Sequence, residues 1–237
     1  MYSIFIGFLI VWLFCFYLVA RTCKPRKIKK INLVRLLSRV SIFGALSAIL
    51  YITPFLKFPL PIFPQFLEIH FDEVPLFIAG FAYGPLAAIL ATVVKTIIKL
   101  PFTSTLTVGE WADLIYSIAF IVPASLIYQK RRNLKGVFYG LGLGFIVQII
   151  VSLFFNIYLM VPFYMFVMGF PKEALLAMAQ LANPKITNVE WSLGLYAIVP
   201  FNVIKNSIII AITLLVYKSS HNLMIRFEEK NYPTCQG

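Results

Sequence analysis

Tyr196-Ala-Ile-Val-Pro-Phe-Asn-Val-Ile-Lys-Asn206 opens a strongly apolar segment that continues to Val216. The stretch is long and apolar enough to read as a membrane helix, yet it carries Asn202, Lys205 and Asn206. Asn202 and Lys205 are three residues apart, so on a helix they share a face. A lysine and an amide are costly in lipid, and such residues usually face a bundle interior or a polar cavity. Pro200 suits the first turn of a helix, where its missing N–H leaves no bond unmade. Asn206 points about 100° away from Lys205 and stays unassigned at this level.

The rest of the chain has the same character. Of its 237 residues, 60% are hydrophobic and only 13% charged, with a mean hydropathy of +0.87. That composition implies an all-α polytopic membrane protein, because the apolar runs are continuous rather than alternating with period two. Crossings are expected at 2–20, 33–55, 74–83, 86–100, 110–128, 136–162 and 195–217. The run at 74–83 is too short for a full span, and Gly84-Pro85 separates it from the next. Pro171 to Ala179 reads as an interfacial helix within a mixed segment, 163–195. The domain reading is an additional N-terminal helix with a basic linker (1–32), a membrane domain (33–220) and a tail (221–237).

The formal net charge of +12 invites a nucleic-acid reading, but its placement argues otherwise. With the N-terminus outside and the C-terminus in the cytoplasm, 15 of the 21 Lys and Arg fall in the cytoplasmic segments. This is the positive-inside pattern of a multi-pass protein in a lipid bilayer. In that topology Glu110, Asn156, Asn202, Lys205 and Lys95 converge in the outer half of the bundle. Asn202 and Lys205 would lie about 10–15 Å below the start of their helix. Each alone has a structural explanation, such as a helix cap or an internal ion pair. Their shared depth points to an outward-facing pocket for a small polar-aromatic ligand.

The Pro-rich segment 57–73 excludes a regular helix, and its end alternates. Phe66, Glu68, His70 and Asp72 would face one side, and Leu67, Ile69 and Phe71 the other. It reads as a short strand in a loop over the cavity. His70 has no second histidine at ligand spacing, and Cys15, Cys23 and Cys235 are scattered, so no metal site is expected. Phosphate-binding glycine loops and Ser/His/Asp arrangements are absent from the sequence, so neither catalysis nor ATP binding is expected of this chain. Small residues at Ser41/Ala45 and Gly44/Ala48 allow close helix approach, within the bundle or to a partner.

Five motifs in order carry a family resemblance. They are Phe58-Pro-Leu-Pro61, Phe71-Asp-Glu-Val-Pro75 with Gly80-Phe-Ala-Tyr-Gly-Pro85, Val108-Gly-Glu-Trp-Ala-Asp113, Asn156-Ile-Tyr-Leu-Met-Val-Pro162 and Pro200-Phe-Asn-Val-Ile-Lys205. From Leu33 to Tyr217 the chain resembles the substrate-binding (S) components of energy-coupling factor (ECF) vitamin transporters, above all the riboflavin-specific members. The resemblance implies a six-helix S-component core that holds riboflavin as a transported ligand, with no cofactor. Asn156, Asn202 and Lys205 would contact the flavin ring. Glu110 would lie near the ribityl chain or organise the pocket, and Trp111 and Phe201 would wall the ring. It also implies docking through Ser41, Gly44, Ala45 and Ala48 onto a membrane T component carrying two ABC-type ATPase subunits. The helix at 2–20, the long 163–195 segment, the threonine-rich 103–107 stretch, and Glu68 and His70 depart from the family pattern. Other readings stay open: an S component for thiamine, a pteridine such as folate, or biotin; a membrane enzyme using Glu110 and Asp113; or an assembly protein.

Overall fold

The structure, a computed structural model, describes residues 33–59, 62–64, 67–103 and 107–231. The expected helix at 2–20, its basic linker and the last part of the tail lie outside the described residues. Six helices make the bundle: α1 (Leu33–Ile52), α2 (Glu73–Tyr83), α3 (Pro85–Lys99), α4 (Val108–Lys130), α5 (Leu134–Phe155) and α8 (Val199–Asn231). Two shorter helices, α6 (Val161–Phe166) and α7 (Lys172–Ala182), lie in the connection between α5 and α8. Counting the turns that extend them, five helical runs are long and apolar enough to cross a membrane. With eleven residues, α2 is not, as its sequence indicated.

The core sits where α2 is wrapped by α1, α3, α4 and α8, with α5 packed on α4 and α8 behind it. Leu76, Phe77, Phe120, Ile121 and Leu141 are fully buried there. Gly84 makes the α2–α3 turn at φ +96°, a conformation L side chains rarely adopt. On α5, a Cβ at Gly144 would come within 2.2 Å of the Phe120 carbonyl oxygen, so α4 and α5 touch backbone to backbone.

Two prolines shape the helix ends that matter for the site. Pro162 follows a π-helical turn at Asn156–Met160, and Pro200 follows another at Gly194–Ile198. A proline lacks the N–H and crowds the carbonyl four residues earlier, and a widened turn relieves both. The carbonyl of Tyr196, which Pro200 cannot serve, instead accepts from Asn183 Nδ2 at 3.3 Å. The last span therefore begins earlier than expected, with a helical turn at Trp191–Leu193, and Pro200 sits in the first turn of regular helix behind the π-turn.

The loop between α1 and α2 holds a minimal hairpin: β1 (Phe58–Pro59) pairs antiparallel with β2 (Glu68–Ile69), Phe58 opposite Ile69. The expected alternation stops there. Ile69 and His70 are both buried, because the chain turns at 70–72 to enter α2 and both sides of it face protein.

Candidate ligand-binding site

Beneath this loop lies a cavity of about 350 Å³, within the size range of small-molecule pockets. The loop roofs it with Lys57, Leu67, Glu68 and His70, and α4 supplies Glu110, Asp113 and Tyr116. Asn156 comes from the π-turn after α5, and Phe201, Asn202 and Lys205 from the first turns of α8. Five of the residues singled out in the sequence therefore share one cavity: Glu110, Asn156, Phe201, Asn202 and Lys205. Trp111 and Lys95 are not among its lining residues.

Trp111 follows Glu110 on α4, about 100° round the helix. Once Glu110 turns inward, Trp111 points out, and it is 51% exposed. Lys95 is in the opposite situation, 0% exposed and enclosed. Its Nζ donates to Asp72 Oδ2 and Asp113 Oδ2, both at 2.6 Å, and to Ser117 Oγ at 3.2 Å. An ammonium has three N–H donors, so Lys95 is saturated and has none left for a ligand.

The cluster around Lys95 extends to the cavity. His70 Nδ1 bonds Asp72 Oδ1, and Lys205 Nζ lies 3.4 Å from His70 Nε2 and 3.5 Å from Glu73 Oε1. His70 thus links the carboxylates around Lys95 to the cavity lysine, with Asp113 Oδ1 3.8 Å from its Nε2. His70, Asp72 and Asp113 place ligand atoms close enough to hold a cation. The Lys95 ammonium already bridges the two carboxylates and supplies their counter-charge, which disfavours a metal cation beside it. Ser47 Oγ also donates to the Asp72 carbonyl at 2.6 Å, tying α1 to the same point.

The cavity amides are held but not exhausted. Asn156 Nδ2 donates to Tyr116 Oη and to the Ser152 carbonyl, both at 2.8 Å. Asn202 Nδ2 donates to the Ile198 carbonyl at 2.8 Å, and its Oδ1 accepts from Gln148 at 2.9 Å. An amide has two donors and two lone pairs, so each keeps capacity for a ligand. Glu110 accepts from Thr103 Oγ1 at 2.8 Å. The site thus offers carboxylate, amide and ammonium groups beside the aromatic rings of Tyr51, Tyr116, Tyr164 and Phe201.

Sequence reasoning missed Asp72, Glu73, Gln148 and the structural role of Asp113. Spacing held a signal for two of them. Glu110, Asp113 and Ser117 form a polar stripe on α4, and Gln148 lies one helical turn before Ser152 and two before Asn156. On α1 the small residues divide. Ser41 and Ala45 are exposed, beside exposed Ile42, Leu46 and Ile49. Gly44 and Ala48 are buried within the bundle, and a Cβ on Gly44 would meet Val94 at 2.8 Å. The expected docking set is therefore half internal packing, because those two residues face α3.

Residues 35–217 match the family of ECF transporter, substrate-specific components. The chain belongs to this family. The riboflavin transporter RibU of Staphylococcus aureus (strain TCH60) is 30% identical over 189 residues, covering 79% of this chain and 93% of the relative. The riboflavin transporter FmnP of Bacillus subtilis (strain 168) is 29% identical over 184 residues, covering 76% and 90%. A solved S component of a bacterial ECF transporter superposes with a TM-score of 0.62 at 28% identity, covering 80% of this chain and 97% of that one. The six-helix arrangement is thus that of an S component, a membrane protein.

Proposed function

We propose that this S component binds riboflavin and delivers it to the cell as the substrate-recognition subunit of an ECF transporter. The observation that carries the reading is the cavity in which Asn156, Asn202 and Lys205 converge beside aromatic rings. A flavin ring has a polar edge of two carbonyls around an N–H and otherwise needs flat apolar contact. Amide and ammonium groups suit the edge, and Phe201 and the cavity tyrosines suit the faces. The names of the two relatives favour riboflavin over thiamine, folate or biotin.

In this reading the chain is a binding subunit and not an enzyme, and ATP is hydrolysed by two ABC-type ATPases joined to it through a T component. The exposed Ser41/Ala45 face of α1 is the docking surface, since small side chains let a partner helix approach closely. The protein resides in a bacterial cell membrane with its N-terminus outside and its C-terminus in the cytoplasm, which the distribution of Lys and Arg favours. The cavity then opens outward, and capture precedes delivery.

The test is direct binding. Purified protein titrated with riboflavin should quench flavin fluorescence in a saturable, one-to-one manner, and thiamine, folate and biotin should fail to compete. Absence of binding at micromolar riboflavin, or displacement by one of the other vitamins, overturns the reading.

A further inference from the structure

We infer that Glu73, which does not line the cavity, makes the site select flavins whose ring carries no negative charge. The inference rests on the riboflavin reading and deepens it. Glu73 is the first residue of α2 and is fully buried. Neither of its carboxylate oxygens has a hydrogen-bond partner. Its counter-charge is Lys205, whose Nζ lies 3.5 Å from Oε1. Lys205 itself lines the cavity. Glu73 therefore stands behind the ammonium that meets the ligand.

The charges around this pair are balanced or slightly negative. His70 Nε2 lies 3.4 Å from the Lys205 ammonium. Beyond it, Asp72 and Asp113 share Lys95, two carboxylates to one ammonium. At the roof Lys57 pairs with Glu68 at 3.2 Å, and Lys99 and Glu110 line the same cavity. None of these groups adds surplus positive charge at Lys205. Glu73 and Lys205 hold one proton between them. With the proton on the lysine they form an ion pair, and with it on the carboxylate a neutral pair. Their net charge is zero either way.

The consequence concerns what Lys205 can attract. A lone ammonium in a partly dry cavity would favour a ligand with a negative charge on its carbonyl edge. An ammonium already matched by a buried carboxylate gains nothing from a second anion. That anion would instead enter a poorly solvated place close to Glu73 and Asp113, where like charges repel strongly. A neutral flavin asks of Lys205 only a hydrogen bond to a ring carbonyl. Specificity of this kind is a difference between two affinities, and Glu73 supplies the repulsive side of it. It acts through Lys205 and not by touching the ligand, so it is a positioning residue for the charge of the site.

The test titrates the full chain in detergent, at one neutral pH, with two analogues of riboflavin. In 8-hydroxyriboflavin a hydroxyl replaces a ring methyl, ionises at neutral pH and spreads its charge through the ring to the carbonyl edge. Its methyl ether is neutral. The wild type should bind the ether at least about tenfold more tightly than the anion. In Glu73→Gln that ratio should move toward the anion by about tenfold or more. In Glu73→Gln with Lys205→Met both charges are gone, and the ratio should return to within about threefold of the wild type. A purely structural role for Glu73 would lower both affinities together and leave the ratio alone. An unchanged ratio in Glu73→Gln, or a shifted ratio that persists in the double variant, overturns the inference. So does a wild type that binds riboflavin but takes the anion as readily as the ether, a result that decides the matter even if Glu73→Gln does not fold. A wild type that fails to bind riboflavin itself overturns the riboflavin reading, and this inference with it.

Discussion

Two polar clusters lie side by side under the α1–α2 loop, and they differ in how much of their bonding capacity is already used. Around Lys95, two carboxylates and a hydroxyl meet every ammonium proton with an acceptor, and an imidazole bonds the Asp72 carboxylate. Around Asn156 and Asn202, each amide is anchored on the bundle side and open on the cavity side. The first arrangement holds helices together, and its ammonium has nothing left to offer a ligand. The second is held still so that what it has left points one way. Polar groups inside a membrane bundle are thus not equivalent signs of a binding site. The unused valence marks the site, and the saturated cluster beside it is the framework.

Removing the saturated cation should have the largest effect of any single change. Lys95→Met leaves Asp72 and Asp113 buried without a counter-charge, which costs about 3–5 kcal/mol in comparable buried pairs. Thermal unfolding in detergent should show a correspondingly large fall in Tm. Riboflavin binding should weaken as a consequence, because Asp72, which positions His70 at the cavity, loses the ammonium that holds it. Adding Asp113→Asn to Lys95→Met should recover part of the loss, at least about 1 kcal/mol, by removing one stranded charge. A Lys95→Met protein as stable as the wild type would break the distinction between the two clusters.

The open cluster should behave in the opposite way. Asn202→Ala and Asn156→Ala should each weaken riboflavin binding by about 1–3 kcal/mol, since a ligand group is left unpaired, with a much smaller change in Tm. Lys205 belongs to both clusters, because it lines the cavity and also lies 3.5 Å from Glu73, whose carboxylate oxygens have no hydrogen-bond partner. Lys205→Ala should therefore lose binding and stability together. Titration calorimetry and thermal melts on the same preparations separate the three cases. Equal Tm losses for Asn202→Ala and Lys95→Met would erase the comparison.

Much of this architecture is legible in the sequence, for a reason of scale. Membrane helices are written in continuous runs, and the expected crossings from residue 33 onward all correspond to observed helices. The convergence of Glu110, Asn156, Asn202 and Lys205 follows from depth, which topology and rise per residue supply. Lateral neighbours follow from neither. Asp72 reads as the end of a loop and Lys95 as one more pocket group, because nothing in either segment says that 23 residues of chain bring them to 2.6 Å. Gln148 hides in an apolar helix for the same reason; its partners are 54 and 58 residues away on α8. The division of the α1 small residues into packed Gly44/Ala48 and exposed Ser41/Ala45 likewise depends on where α3 lies, which periodicity on α1 alone does not state.

Trp111 gives the smallest expected effect and the sharpest contrast with its neighbour. The motif Val108-Gly-Glu-Trp-Ala-Asp113 presents a carboxylate and an indole side by side, and both looked suited to a flavin. On α4 they cannot serve one cavity together, because adjacent residues diverge by about 100°. Glu110 and Asp113, three apart, take the inward face, and Ser117 continues it. Trp111 is left at the start of the helix with half its surface exposed, a place where an indole suits the boundary between lipid and water. Trp111→Ala should therefore change riboflavin affinity by less than about 0.5 kcal/mol, as expected for an exposed side chain away from the site. Glu110→Ala on the same turn should weaken binding measurably, because that carboxylate faces the cavity. A Trp111→Ala protein that loses riboflavin as severely as Asn202→Ala would mean that α4 is rotated in the bound state and that its inward stripe is not the face that meets the ligand.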